Sequence, residues 1–116
     1  MAFQIDWRGA SGATYRFETY AAGTRFNPVS GVYILCRHLG AGDWQALYVG
    51  ETQSLEQRLN IGMAGHDGIA RATRMGMTHV SVLPVYGAAD RLRVEADLRH
   101  GLRPPANMQG ATNALR

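Results

Sequence analysis

The side chains with most to offer chemically are Tyr33, Tyr48, Arg58, His66, Glu95 and Asn107. Between them a phenol pair, a guanidinium, an imidazole, a carboxylate and an amide cover proton transfer, cation binding and grip on an anion. Each also has a purely local reading. Tyr33 and Tyr48 sit in strand-like runs, where a tyrosine packs its ring and satisfies its hydroxyl nearby. Arg58 falls on the polar side of a short helix. Glu95 lies one turn from both Arg91 and Arg99, and the Glu95-to-Arg99 order is the favoured one for a helical ion pair. His66 caps or precedes the helix that begins near Asp67. Asn107 follows two prolines, where an asparagine commonly bonds its own backbone. His38, His79 and His100 read as structural or surface residues.

Composition narrows the partners these groups can serve. All twelve positive side chains are arginines, so lysine chemistry is ruled out. The net charge of +3 and the planar fork of arginine fit a polyanionic partner. Cys36 is the single cysteine, which excludes an internal disulfide and a multi-cysteine zinc site and leaves core packing as its expected role. The opening MAFQIDWRGA lacks a basic segment followed by an apolar run, and no stretch approaches the ~18 apolar residues of a membrane span. A cytoplasmic protein is the expectation.

The elements that must position these residues follow from periodicity and punctuation. FQIDW and TYRFETY alternate around RGASGA as a hairpin. GVYILC and QALYVG are β-rich runs expected as central strands, with a hairpin loop centred on Gly-Ala-Gly-Asp between them. Strand alternation puts Tyr33 and Leu35 on one face, with Val32, Ile34 and Cys36 on the other. In the second strand it sets Tyr48 and Gly50 opposite Leu47 and Val49, so the two tyrosines can share a face. Ser54 and Gln57 have capping-box spacing before a short helix that buries Leu55 and Leu59 and ends at Gly62 or Gly65. A second helix runs from about Asp67, as a plausible cap, to Gly76, and HVSVLPV forms another strand. A third helix spans about Ala88 to Leu102, its inward arc drawn from Leu92, Val94, Glu95, Ala96, Leu98 and Leu102, and two prolines stop it. The chain reads as one domain over residues 1–116.

The order Gly31-Val32-Tyr33, Tyr48-Val49-Gly50, Arg58 on a following helix, Glu95-Ala96-Asp97-Leu98, then Asn107 after Pro104-Pro105 resembles the GIY-YIG nuclease family. Valine stands for isoleucine in both triplets. The resemblance covers residues 31–107 and makes residues 1–30 a hairpin extension. It implies an α+β fold with a small antiparallel sheet, three core strands plus that hairpin, flanked by about three helices. It also implies a divalent-metal-dependent endonuclease that hydrolyses phosphodiester bonds in DNA. Glu95 would hold Mg²⁺ or Mn²⁺, Arg58 would contact the scissile phosphate, and Asn107 would support the site. Tyr33 and Tyr48 would activate or orient water. A phenol with a pKa near 10 is a poor base at neutral pH unless the metal or a cation such as Arg58 lowers it.

Two departures qualify the match. The family often carries a histidine or tyrosine at the position of Gly62, and His66 is the residue near enough to take its place. Glu51 stands where some relatives have a lysine. These departures define the alternative, a catalytically inactive nucleic-acid-binding or assembly module on the same fold. With no helix-turn-helix or zinc-finger segment to read sequence, specificity would come from DNA structure, a homodimer or a separate partner.

Overall fold

The structure, a computed structural model, describes residues 2–62 and 65–107. Among these residues five strands form one antiparallel sheet: β1 (Phe3–Arg8), β2 (Thr14–Ala21), β3 (Gly31–Gly40), β4 (Asp43–Thr52) and β5 (His79–Pro84), in the spatial order β1-β2-β5-β3-β4. A π-helical turn (Gln57–Ile61) and two α-helices, α1 (Asp67–Arg74) and α2 (Ala88–Leu102), pack on it, which makes the chain α+β. Among the described residues no helix is long and apolar enough to cross a membrane. The N-terminal hairpin extends the sheet through β2, which pairs with β5 from Glu18↔Val82 to Ala21↔His79. The sheet curls enough to bring Phe3 of β1 within 5.7 Å, ring to ring, of Trp44 on the opposite edge.

Each face of the sheet has its own core. Val32, Ile34, Cys36 and Val49 pack with Trp7 and Phe17 of the hairpin beneath Val94 and Leu98 of α2. On the other face, Tyr33, Leu35 and Leu47 pack with Leu55 and Leu59 around the π-helical turn and with Ile69 and Ala72 of α1. Leu47 was expected on the Val49 face. The pairing passes from Leu35↔Tyr48 directly to Cys36↔Ala46, so Leu47 is the extra residue of a β-bulge and turns to the face of Tyr48.

The β3–β4 connection is tighter than the sequence suggests. Both strands run through residues expected in the loop, leaving Ala41 and Gly42 as the only two between them. Their φ values of 53° and 81° are the left-handed pair that a two-residue hairpin turn requires. Cys36 is fully buried, and burial pushes its thiol pKa up to about 12, in keeping with a packing role.

The inward face of α2 also differs from expectation. Arg91, Val94 and Leu98 are its buried residues, whereas Leu92 is 57% exposed. Arg91 points inward because Glu51, on the α2 face of β4, accepts a hydrogen bond from its Nε at 3.0 Å. Below that pair, Asp97 ties α2 to the N-terminal hairpin, accepting from Ser11 N, Ser11 Oγ and the Tyr15 hydroxyl at 2.7–2.8 Å. Arg103 ends α2 in the left-handed conformation, before Pro104.

Candidate active site

The register of β3 and β4 sets Tyr33 opposite Gly50 and Leu35 opposite Tyr48, so both tyrosines project toward α1. Their rings stack at 6.2 Å. Glycine is needed at two places around them. A Cβ on Gly50 would lie 2.5 Å from Cζ and Oη of Tyr33, and one on Gly68 would lie 2.6 Å from the Tyr48 ring and 2.8 Å from His66. The glycine of the Tyr48-Val49-Gly50 triplet is thus the floor on which the first tyrosine lies.

His66 unites its two readings. It is the N-cap of α1, a role expected of Asp67, and its Nδ1 accepts the Ile69 N–H at 3.2 Å. Its Nε2 lies 2.7 Å from the Tyr33 hydroxyl. Because Nδ1 is an acceptor, the neutral ring carries its proton on Nε2 and donates it to the tyrosine oxygen. Burial, reinforced by the charges of Arg58 and Arg71, lowers the His66 pKa to about 4, which keeps the ring neutral at pH 7.

Arg58 delivers a second donor, with Nε 3.4 Å from the same oxygen. The contact raises the guanidinium pKa further, with a smaller contribution from Tyr48. Tyr33 Oη therefore receives two N–H groups, and among the described residues the hydroxyl's own proton has no acceptor. Burial raises the Tyr33 pKa above that of an ordinary phenol, with Arg58 acting against the rise. At neutral pH this tyrosine is a positioned hydroxyl, and loss of its proton needs more positive charge than Arg58 alone supplies.

Gly62 has no room for the side chain that the resemblance anticipates there. Its N–H donates to the Gln57 carbonyl at 2.6 Å, and a Cβ would come within 2.7 Å of that oxygen. Ser54 Oγ accepts the Gln57 N–H at 3.1 Å, the capping contact that its spacing predicts.

Glu95 and Asn107 exchange no hydrogen bond with the side chains of this four-residue cluster. The Glu95 side chain is 16% exposed, and its Oε2 accepts from Arg99 Nε at 3.1 Å, the helical ion pair that the spacing allows. Among the described residues it exchanges no hydrogen bond with Tyr33, Tyr48, Arg58 or His66. Asn107 brackets the residue after Tyr48, accepting from Val49 N at 2.7 Å and donating to Val49 O at 3.0 Å.

A hard divalent cation held by Glu95 would have this single carboxylate as its protein ligand among the described residues. Arg99, 40% exposed, contacts Oε2 through its Nε, and water and phosphate oxygens would have to complete the shell of a cation bound at this carboxylate. Among the described residues no three His, Cys, Asp or Glu side chains gather into a metal-binding group. Glu51 is committed to Arg91 on the α2 face of the sheet.

Arg71 was not singled out in the sequence. It anchors the turn that carries Asn107, donating from Nε to the Ala106 carbonyl at 3.0 Å. Nothing in its spacing distinguishes it from the other arginines. In comparisons with protein families, curated proteins and solved structures, no match to this chain was found.

Proposed function

We propose that this chain is a cytoplasmic, divalent-metal-dependent endonuclease of the GIY-YIG type that hydrolyses phosphodiester bonds in DNA. The observation that carries the reading is the Tyr33 oxygen held by two donors, His66 Nε2 and Arg58 Nε, beside the stacked Tyr48. Such an oxygen is fixed in place on a side chain that is 1% exposed, and its proton is the hydrogen-bonding group that the two donors leave over.

Hydrolysis requires an oriented water, neutralisation of charge growing on phosphate and stabilisation of the leaving oxygen. Arg58 offers the guanidinium fork that grips a phosphate and stays charged throughout. Tyr33 and Tyr48 offer hydroxyls to orient water or a phosphate oxygen. His66 keeps Tyr33 in one rotamer, and Asn107 holds the strand segment beside Tyr48. A cation bound through Glu95, Mg²⁺ or Mn²⁺, would add charge neutralisation and lower the pKa of groups around it.

A second reading is favoured by one observation, the engagement of Glu95 by Arg99. A carboxylate retained as an ion pair suits a module that binds nucleic acid without cutting it. Incubation with supercoiled plasmid and Mg²⁺ or Mn²⁺, then with chelator, separates the two. Nicking that is lost with chelator, with Glu95→Gln and with Tyr33→Phe supports the nuclease. Salt-sensitive retardation of DNA without nicking supports the binding module. Nicking unchanged in both variants refutes the proposed site.

A further inference from the structure

We propose that Arg71 is a second phosphate-binding residue of this site, taking a backbone phosphate adjacent to the one gripped by Arg58. The inference rests on the nuclease reading above.

Among the described arginines, only Arg71, Arg91 and Arg99 are not exposed. Arg91 is paired with Glu51 and Arg99 with Glu95. Arg71 has no carboxylate among the described residues, and its one hydrogen bond there, to the Ala106 carbonyl, comes from Nε. Among the described residues the two terminal nitrogens of the fork make no hydrogen bond, and no carboxylate pairs with this half-buried guanidinium, Asp67 one turn earlier included. A partly buried cation in that condition is stabilised by an arriving anion.

Its position agrees. Arg71 lies one turn beyond Gly68, the residue against which the Tyr48 ring rests, and its charge reaches His66 together with that of Arg58. The carbonyl it holds belongs to the residue before Asn107, which is bonded to Val49 beside Tyr48. Two arginines thus act on this cluster from separate elements, Arg58 on Tyr33 from the π-helical turn and Arg71 on His66 from α1. A polyanion with regularly spaced phosphates can engage both at once, with Arg71 setting register on the strand and Arg58 facing the reacting group.

The test is a salt series of DNA binding, measured by anisotropy on a labelled duplex in chelator, for the full chain, Arg71→Gln and Arg71→Lys, with thermal midpoints alongside. Loss of one phosphate contact should lower the slope of log affinity against log salt by about 0.9 in Arg71→Gln, whereas Arg71→Lys keeps the slope. An unchanged slope in Arg71→Gln overturns the inference and leaves the nuclease reading standing. Failure of the unmodified chain to bind or nick DNA overturns both. If Arg71→Gln does not fold, phenylglyoxal labelling of the unmodified chain decides: protection of Arg71 by DNA supports the contact, and equal labelling with and without DNA refutes it.

Discussion

His66 and Tyr33, 33 residues apart in sequence, meet through a 2.7 Å hydrogen bond whose direction is set on the far side of the imidazole. Nδ1 is occupied by the Ile69 N–H, so Nε2 is the donor. A helix cap thereby fixes the hydrogen-bonding state of a candidate catalytic phenol.

Removing the phenol should cost both stability and activity. In Tyr33→Phe the Nε2–H of His66 and the Nε–H of Arg58 face a site with no acceptor, at a cost of about 1–3 kcal/mol. Plasmid nicking should fall by about 100-fold or more, as expected for loss of a group engaged in proton transfer. Urea unfolding and a nicking time course read the two effects separately.

The two functions of His66 should be separable by substitution. Asparagine is a good N-cap but is too short to reach Tyr33, so His66→Asn should retain more stability than His66→Ala. The difference expected from the cap is about 1 kcal/mol. Both variants should lose nicking to a similar extent. Equal midpoints for the two would argue against the cap.

His66 should also make stability depend on pH. Its pKa falls from 6.5 to about 4 on folding, so between these values the unfolded chain binds more protons than the folded one. The contribution is fully present above pH 6.5 and is lost as pH falls toward 4, up to about 3 kcal/mol in all. Urea midpoints at pH 7.5 and 4.5 should differ more for the unmodified chain than for His66→Asn. Equal differences would dissociate the histidine from the effect.

Gly50→Ala tests the floor beneath Tyr33. The added Cβ would lie 2.5 Å from the phenol oxygen and ring, so the ring must move. We expect about 1–3 kcal/mol of destabilisation, as for other overpacked cores, and loss of nicking with it. A variant of normal stability and activity would show that the ring does not need this seat.

Glu51→Gln addresses a residue that departs from the family pattern, standing where some relatives have a lysine. Its partner Arg91 is 5% exposed and would lose its counter-charge. Because the Glu51 side chain is itself 30% exposed, water screens part of the loss, and about 2 kcal/mol is expected. Nicking below the unfolding midpoint should stay near normal. A large fall in nicking with unchanged stability would instead assign Glu51 to the site.

The sequence carried the strand order of the β3–β4 hairpin, the shared face of Tyr33 and Tyr48 and the span of α2, because period-2 alternation and terminal prolines act locally. The place of Leu47 was not legible. A bulge is a property of pairing between two strands, and alternation within one of them carries no trace of it. Arg91 displaced Leu92 from the buried face of α2 for a similar reason, since its partner Glu51 lies 40 residues away. At the site, Gly62 could be read as a departure from a pattern, but the seat of His66 depends on how α1 docks against Tyr33. Arg71 was hidden among twelve arginines until its bond to the Ala106 carbonyl and the lack of a paired carboxylate among the described residues distinguished it.

β4 lies at the margin of the sheet, where unpaired backbone groups invite another strand. The Asn107 amide occupies both the N–H and the carbonyl of Val49 there, as the backbone of a neighbouring strand would. One side chain thus acts as a sixth strand reduced to a single residue. It occupies backbone groups that edge-to-edge pairing would use beside the tyrosines, so a strand arriving at this margin would have to displace Asn107 first.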